Sequence, residues 1–252
     1  MKTKQLMKQN IVVNPEYAQL MPFVSAVACG TADLGEEIYR ARNVVSHTRQ
    51  CGLDLIIKSF RVPRLLNAFV YAHLRHSKAR RSYDNALRLM SLGIGTAVPV
   101  AYVEIFSHGL LNRSYFISLK VNGSEMRFWE KRPDSDLLLH KFAAFMIELR
   151  DKGVFHKDFS PGNVIVDDQY HFYLLDVNRM KFNVHNKECF IDNFARLHTE
   201  ASEIARLAKI YAETDGNPHP EAFAELAVER FHTFWNGKKR RHELEHKLHL
   251  RK

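Results

Sequence analysis

Apolar positions along this chain follow two periodicities, one typical of strands and one typical of helices. Runs that alternate or stay apolar over strand length are predicted to form strands at 36–39, 44–47, 54–60, 99–105 and 114–119. Apolar residues at helical spacing predict helices at 79–92, 137–152, 190–214 and 220–235. The pattern predicts an α+β chain with a small antiparallel-sheet lobe over about 15–120, a larger helical lobe over about 121–235 and a basic C-terminal tail over 236–252.

Polar residues flank a predicted hairpin in the middle of the chain. Its two short apolar strands, 163–166 and 172–175, are joined by a polar turn. Asp158 lies five residues before Asn163, and Asp176 directly follows the second strand. Two carboxylates and a carboxamide in this order match a phosphoryl-transfer pattern in which an Asp accepts the proton of the acceptor hydroxyl, while an Asn and a later Asp hold Mg²⁺. The hairpin is expected to place both metal ligands beside one cleft.

Phosphoryl transfer by this pattern also needs a Lys on an apolar strand to hold the α and β phosphates of the nucleotide, and a helix carboxylate to position that Lys. Lys58 lies in the predicted strand 54–60. Asp84, in the following predicted helix, is the one acidic residue between Lys58 and Val103, so elimination predicts that it pairs with Lys58. The alternative role for Asp84 is an ion pair within its own helix, with Arg80, Arg81 or Arg88.

The turn between the first two predicted strands is the candidate phosphate-binding loop. The chain contains no Gly-x-Gly-x-x-Gly sequence. Backbone amides of this turn, together with Arg40, Arg42 and Asn43, are instead predicted to face the nucleotide phosphates. A solvated basic hairpin explains the same residues equally well.

Six segments of the chain resemble the lipopolysaccharide kinase family, which includes the Kdo kinases and the core-heptose kinases and belongs to the protein-kinase-like superfamily. These segments are 38–43, 57–63, 77–83, 93–102, 156–158 and 175–180. The chain departs from the protein-kinase pattern at Lys157, where Arg is usual, and at Val177-Asn178, which replaces Phe-Gly. It also has no Ala-Pro-Glu segment after Asp176. That difference counts against a peptide substrate and fits a small-molecule or glycolipid acceptor better.

The resemblance implies a single catalytic domain with a two-lobed protein-kinase-like fold that uses ATP and Mg²⁺, with a hinge at 120–123. It implies nucleotide binding by Lys58, positioning of Lys58 by Asp84, deprotonation of the acceptor by Asp158, metal binding by Asn163 and Asp176, and a structural role for His156. The implied reaction is phosphorylation of a sugar hydroxyl of lipopolysaccharide, on Kdo of a lipid A precursor or on an inner-core sugar. Two alternatives are a kinase of another small molecule or protein, and an inactive kinase-like scaffold that binds a partner.

Composition bears on where such an enzyme would work. The chain has 252 residues, 46% of them hydrophobic, which is enough to bury a substantial core. It contains no run of about 18 apolar residues, and its basic start lacks the apolar stretch of a signal peptide. Three widely spaced Cys predict reduced thiols. We therefore expect a cytoplasmic protein that is peripheral at the inner face of the bacterial inner membrane.

The net charge of +9 is concentrated in two basic clusters. The first spans 55–83, has seven Lys or Arg and no acid before Asp84, and is interleaved with apolar residues between 65 and 74. It predicts an amphipathic surface for an anionic membrane or an acidic substrate, and no nucleic acid is expected. The second spans 237–252 and is equally consistent with a solubilising tail.

A zinc-protease motif near the C-terminus is rejected on its context. His242 to His246 match His-Glu-x-x-His, which on a helix places two imidazoles one turn apart. Only six residues follow, and the surrounding sequence is highly charged, whereas a catalytic zinc needs a supported third ligand. A solvated helix face is predicted instead.

Overall fold

The protein is represented by a computed structural model that describes residues 7–60 and 75–249, with the side chains of 8–60 and 75–244. Its contacts group the chain into two compact units. The first unit comprises the described residues up to Asn122 together with Leu175–Arg179, and the second comprises Gly123–Leu174 and the residues from Met180 onward. The predicted apolar surface at 65–74 lies outside the described residues.

The described residues of the first unit form a six-stranded antiparallel sheet and two α-helices. Its strands are β1 (Met7–Val13), β2 (Glu36–Arg40), β3 (Val44–Gln50), β4 (Leu53–Phe60), β5 (Pro99–Ser107) and β6 (Leu110–Leu119), in the spatial order β1-β5-β6-β4-β3-β2. Its helices are α1 (Met21–Cys29) and α2 (Lys78–Ser91). Neighbouring strands in this order pair antiparallel. The pairs β2–β3, β3–β4 and β5–β6 are hairpins, β6 joins β4, and β1 closes one edge by pairing with β5.

The core of this sheet follows from strand alternation. Successive side chains of a strand point to opposite faces, so Leu55 and Ile57 of β4 enter the same apolar cluster as Val24 and Val27 of α1. Lys58, one position further along, projects from the opposite face of β4. The burial of apolar side chains on one face of β4 therefore determines where its ammonium group points.

Helix α2 buries one stripe and leaves the others available for polar contacts. Ser77 precedes it as N-cap, and its side chain accepts a hydrogen bond from the backbone N–H of Arg80 at 3.1 Å. The buried stripe is formed by Ala79, Ser82, Tyr83, Ala86 and Leu89, which recur at helical spacing. The ring of Tyr83 packs edge-on against Tyr102 of β5, with centroids 5.4 Å apart. This contact fixes the rotation of α2 against the sheet.

The second unit is mainly helical. Its helices are α3 (Ser135–Asp151), α4 (Ala201–Thr214) and α5 (Pro220–His249). Its short strands are β7 (Ser124–Glu125), β8 (Phe155–His156), β9 (Val164–Val166), β10 (Phe172–Leu174) and β11 (Met180–Lys181), which form a three-stranded sheet β10-β9-β7 and a pair β11-β8. A ten-residue 3₁₀ segment, Lys187–Arg196, precedes α4.

An aromatic cluster joins α3 to the hairpin of β9 and β10. Phe142 is fully buried, and its ring lies 5.9 Å from that of Phe159 and 5.4 Å from that of Phe172. Gly153 ends α3 with φ of 64°, a conformation that side chains with a Cβ rarely adopt. Strand β8 begins two residues after Gly153, so the end of α3 determines where the residues that follow it lie.

The structure differs from the predicted elements at three places. Strand β1 lies before the predicted start of the small lobe at residue 15. The predicted helix 190–214 is a 3₁₀ segment followed by the separate helix α4, and α5 continues past residue 235 to His249. The predicted basic tail is therefore the last part of a 30-residue helix as far as it is described.

We expect Phe142→Ala to destabilise the protein by about 3–5 kcal/mol, because it removes a buried ring and leaves a cavity among its aromatic neighbours. Leu137→Ala on the same helix is the control, since Leu137 is 49% exposed and surface changes usually stay within about 0.5 kcal/mol. Urea unfolding followed by circular dichroism measures both variants. Equal losses would contradict the assignment of the core.

Candidate active site

The centre of the candidate site in the first unit is an ion pair between Lys58 and Asp176. The ammonium nitrogen of Lys58 lies 2.6 Å from Oδ1 of Asp176, and the two side chains are 18% and 31% exposed. Strand β4 supplies Lys58, and the segment Leu175–Arg179, called here the Asp176 segment, supplies the carboxylate. The pair brings the predicted nucleotide-binding Lys and a predicted metal ligand into direct contact.

Asp176 is held in an uncommon backbone conformation. Its φ is 52°, in the left-handed region that residues with a Cβ rarely occupy. The side-chain amide of Asn178 donates to Oδ1 of Asp176 at 2.5 Å, so the same oxygen receives both this hydrogen bond and the Lys58 ammonium. Such conformations persist where the surroundings over-determine them and are concentrated at functional sites.

Helix α2 holds the Asp176 segment through backbone carbonyls. Nη1 of Arg81 donates to the carbonyl of Asn178 at 3.0 Å, and the side-chain amide of Asn85 donates to the carbonyl of Val177 at 2.7 Å. Arg81 and Asn85 are four residues apart and so lie on one stripe of the helix. The helix therefore positions Asp176 by holding the backbone of the two residues that follow it.

The predicted ion pair between Lys58 and Asp84 is wrong. Among the described residues, Asp176 is the one carboxylate within ion-pair distance of Lys58. Asp84 lies 3.5 Å from Nε of Arg80 and 3.8 Å from Nδ1 of His76, and it is 46% exposed. The physical reason is helical phase: Asp84 is one position away from Asn85, about 100° around the helix. Of the alternatives weighed from the sequence, the intrahelical pair with Arg80 is the correct one.

Cations outnumber carboxylates around the Asp176 segment. Desolvation of the half-buried Lys78 lowers its pKa, the nearby Asp176 opposes this, and the positive charges of Arg42, Arg81 and Lys58 lower it further. Three other basic groups therefore act on Lys78, close to Asp176. A site with this surplus of positive charge favours a polyanionic ligand such as a nucleoside triphosphate.

Arg40, Arg42 and Asn43, which the sequence predicts to face the nucleotide phosphates, differ in their contacts. Arg40 is hydrogen-bonded to Glu37 on its own strand, and this pairing raises the pKa of Arg40. The backbone carbonyl of Asn43 accepts a hydrogen bond from the N–H of Ala41 at 3.0 Å, which closes the turn. Arg42 is near enough to act on the charge of Lys78. Arg42 therefore contributes positive charge near Lys78.

The second unit holds the predicted catalytic loop in a network of short contacts. The side-chain amide of Asn163 donates to the backbone carbonyl of Asp158 at 2.8 Å, which leaves its amide oxygen as the ligand atom. The backbone N–H of Asp158 donates to Nδ1 of His156 at 3.1 Å. His156 is 1% exposed, so its imidazole is fully buried. The loop thus fixes the backbone of Asp158 on both sides.

The sequence patterns did not indicate a role for Arg196 at this loop. Its Nη1 donates to the carboxylate Oδ1 of Asp158 at 3.0 Å and to the backbone carbonyl of Lys157 at 2.6 Å. No local pattern could have identified it, because it lies 38 residues after Asp158 and the chain is rich in arginine.

Solved structures with the same architecture decide the fold. The structure of WaaP in complex with acyl carrier protein matches with a TM-score of 0.57 at 17% identity, covering 88% of this chain and 97% of that chain. An aminoglycoside-3'-phosphotransferase of type VIII matches with a TM-score of 0.52 at 13% identity, covering 82% and 98%. This chain has the protein-kinase-like fold. A scan against models of protein families matches none of them, and a search of curated proteins finds no relative.

The donor set of this kinase-like fold suits Mg²⁺. Mg²⁺ prefers hard oxygen ligands and is usually held by one or two protein side chains together with substrate phosphates and water. Asn163 offers an amide oxygen and Asp176 a carboxylate, the former in the second unit and the latter in the first. Within the described part of the chain, no group of three or more His, Cys, Asp or Glu side chains is arranged to hold a metal. Each of these donors is, by its chemistry, a ligand type that Mg²⁺ accepts.

Two further expectations concern the rest of the chain. His242 lies on α5 and is exposed, whereas the side chain of His246 lies outside the described residues. None of the helices in the described ranges is both long enough and apolar enough to cross a bilayer.

We expect Asn85→Ala to weaken Mg²⁺-dependent ATP binding by about threefold to tenfold, which corresponds to the loss of one hydrogen bond that holds the Asp176 segment. Asp84→Ala is the matched control on the same helix, because its exposed ion pair contributes little, and it should change the dissociation constant less than twofold. Isothermal titration calorimetry with Mg²⁺-ATP measures both. An Asp84→Ala effect as large as that of Lys58→Ala would restore the rejected pairing.

Proposed function

We propose that this protein is an ATP- and Mg²⁺-dependent kinase that phosphorylates a sugar hydroxyl of lipopolysaccharide, on Kdo of a lipid A precursor or on an inner-core sugar. The observation that carries the proposal is the 2.6 Å pair between Lys58 and Asp176, with Asp176 in a left-handed backbone conformation. A scaffold without chemistry has no need to keep these two groups in contact at a strained residue. The kinase-like fold supports the same reaction class.

Each group has a definite task in this reaction. Lys58 holds the α and β phosphates of ATP, and in the absence of nucleotide its charge is balanced by Asp176. Asp158 accepts the proton of the acceptor hydroxyl as that oxygen attacks the γ-phosphorus and the bond to the β–γ bridging oxygen breaks, so that ADP leaves. Mg²⁺, held by Asn163 and Asp176, would neutralise charge on the phosphates.

Side chains replace the missing glycine-rich loop in this proposal. Arg42 and Lys58 both act on the charge of Lys78, so Arg42 and Lys78 add positive charge near Lys58. Phosphate oxygens would satisfy that surplus charge, whereas backbone amides of a glycine-rich loop do so in the common pattern. This substitution weakens the case for an inactive scaffold, which rested on the missing loop.

The acceptor class rests on two observations. The segments of this chain that resemble lipopolysaccharide kinases include the Asp176 segment and the N-terminal part of α2, and WaaP shares the fold over nearly its whole length. The match to an aminoglycoside phosphotransferase favours a second candidate, a soluble sugar-like acceptor. Both acceptors present an alcohol to Asp158, and they differ in whether a lipid surface is needed.

We also propose that the protein works as a peripheral protein at the cytoplasmic face of the inner membrane. The first basic cluster contributes less to this than its composition suggests, because Arg81 binds the Asp176 segment and Lys78 is half-buried beside it. The exposed basic residues Lys239, Arg240 and Arg241 of α5 are the better candidates for contact with anionic lipid. Lys238 beside them lies over the ring of Trp235, 4.3 Å from its centroid.

Asp158→Ala should abolish turnover while leaving ATP affinity nearly unchanged, because this carboxylate acts on the acceptor and not on the nucleotide. Loss of a positioned base typically lowers the rate about a hundredfold to ten-thousandfold. Asp176→Ala should instead remove Mg²⁺-dependent ATP binding. Steady-state rates with a lipid-sugar acceptor and calorimetric ATP titrations separate the two effects. Wild-type rates in both variants would refute the proposed site.

Replacing Lys239, Arg240 and Arg241 by Ser should lower sedimentation with vesicles of anionic lipid at low salt, since each basic residue near such a surface contributes about 1 kcal/mol. The charge-matched control replaces Lys8, Arg49 and Lys141, three exposed residues on other elements, and should bind as the wild type does. Binding should fall as salt shortens the Debye length. If the wild type did not sediment with these vesicles, the soluble acceptor would become the better candidate.

A further inference from the structure

Arg196 is hydrogen-bonded to Asp158, the base of the proposed reaction. It ends the 3₁₀ segment Lys187–Arg196, which is anchored by the buried side chains of Phe190, Ile191 and Phe194. One nitrogen of its guanidinium, Nη1, bonds both to the carboxylate of Asp158 and to the backbone carbonyl of Lys157. The side chain thus contacts the candidate base and the backbone immediately before it, from a well-anchored element of the same unit.

Helix α5 holds the guanidinium of Arg196 from another side. The central carbon of the guanidinium lies 4.8 Å from the ring centroid of Phe234, within the range of a cation–π interaction. A planar guanidinium stacked in this way loses freedom to rotate away from its partners. Phe234 therefore limits the arrangements that Arg196 can adopt, and the 3.0 Å bond passes that restriction on to Asp158.

A carboxylate base such as Asp158 needs a partner such as Arg196 to fix its orientation. A carboxylate can accept a proton only when one of its oxygens lies within hydrogen-bond reach of the hydroxyl, and the group rotates readily about its last bond. A hydrogen bond to Oδ1 fixes the plane of the carboxylate and therefore the direction of Oδ2. A charged donor makes this bond stronger than a neutral donor would.

Arg150 and Arg206 of the second unit also bond to carboxylates, but to carboxylates other than the candidate base. Arg150 bonds to Asp151, Asp215 and Tyr211, and Arg206 bonds to Asp136, Glu203 and Ser135. None of these partners has a role in the proposed reaction. Arg206 has a side-chain exposure of 32%, close to the 36% of Arg196, and so makes a suitable comparison.

We propose that Arg196 is a positioning residue for phosphoryl transfer, which fixes the carboxylate of Asp158 for proton acceptance while Phe234 of α5 keeps the guanidinium in place. This inference rests on the proposed function, because it assigns a task to Arg196 only if Asp158 is the base. It predicts an effect on kcat and little effect on the KM for ATP or for the acceptor. The competing role is binding of an anionic group on the acceptor. It predicts a raised KM for the acceptor and little effect on kcat.

The experiment compares Arg196→Ala, Arg196→Lys, Phe234→Leu and the control Arg206→Ala in steady-state phosphate transfer from Mg²⁺-ATP to a lipid-sugar acceptor. We expect Arg196→Ala to lower kcat about tenfold to a hundredfold, a smaller loss than that of the base itself, with both KM values within twofold. Arg196→Lys should recover most of the loss, because an ammonium can still donate to Oδ1. Phe234→Leu should lower kcat less than Arg196→Ala does, and Arg206→Ala should leave it unchanged.

A second measurement tests the coupling between Arg196 and Asp158 without relying on turnover. Thermal unfolding of Arg196→Ala, Asp158→Ala and the double variant should be non-additive, since the two side chains form one bonded unit. The same cycle with Arg206→Ala in place of Arg196→Ala should be additive. Additive unfolding in the first cycle would mean that the contact does not form, and it would overturn the inference.

Three kinetic outcomes would overturn the inference while leaving the proposed function standing. The first is an unchanged kcat in Arg196→Ala when Asp158→Ala is inactive. The second is a raised KM for the acceptor with an unchanged kcat, which would make Arg196 an acceptor-binding residue. The third is an equal fall of kcat in Arg196→Ala and Arg206→Ala, which would indicate a structural role. A wild type that transfers no phosphate to any acceptor would instead refute the proposed function, and the inference would fail with it.

Discussion

The pairing of Lys58 with Asp176 is the constraint on which the first unit depends. Lys58 reaches Asp176 because β4 buries its neighbours Leu55 and Ile57 on the other face of the sheet. Asp176 is available because α2 holds the carbonyls of Val177 and Asn178. The contact is therefore the common result of strand alternation, helix phase and a left-handed residue, and any change that shifts one of these elements shifts the site.

The electrostatics of the same region would let the proposed kinase bind a nucleotide without a glycine-rich loop. Backbone amides supply partial positive charge in that loop, and here full charges on side chains are present instead. Burial lowers the pKa of Lys78, and the positive charges of Arg42, Arg81 and Lys58 lower it further, while Asp176 opposes them. These side-chain charges would meet the phosphates of a bound nucleotide.

Most of what could be predicted from the sequence depended on local patterns. Alternation located β4 and its Lys58, helical spacing and Gly153 located α3, and the hairpin of β9 and β10 follows from two short apolar runs. The fold class is confirmed by the sheet and by the kinase-like matches. The spacing of Asp158, Asn163 and Asp176 along the chain also predicted their roles, which stay predictions.

The parts that were missed depend on contacts distant in sequence or on phase within an element. Strand β1 carries Lys, Gln and Asn and is stabilised by backbone pairing to β5, which composition does not reveal. Asp84 was chosen by elimination, whereas the rotation of α2 presents Asn85 and Arg81 to the Asp176 segment. Arg196 reaches Asp158 across 38 positions, a separation over which no local period applies.

The central claim is that these residues transfer the γ-phosphate of ATP to a sugar hydroxyl. The most direct test is mass spectrometry of lipid A precursors and core lipopolysaccharide after incubation of the purified wild-type protein with Mg²⁺ and ATP. The account predicts the addition of one phosphate to a sugar, dependent on Mg²⁺. Unchanged masses of every lipopolysaccharide acceptor, under conditions in which the protein binds Mg²⁺-ATP, would contradict the assigned acceptor class.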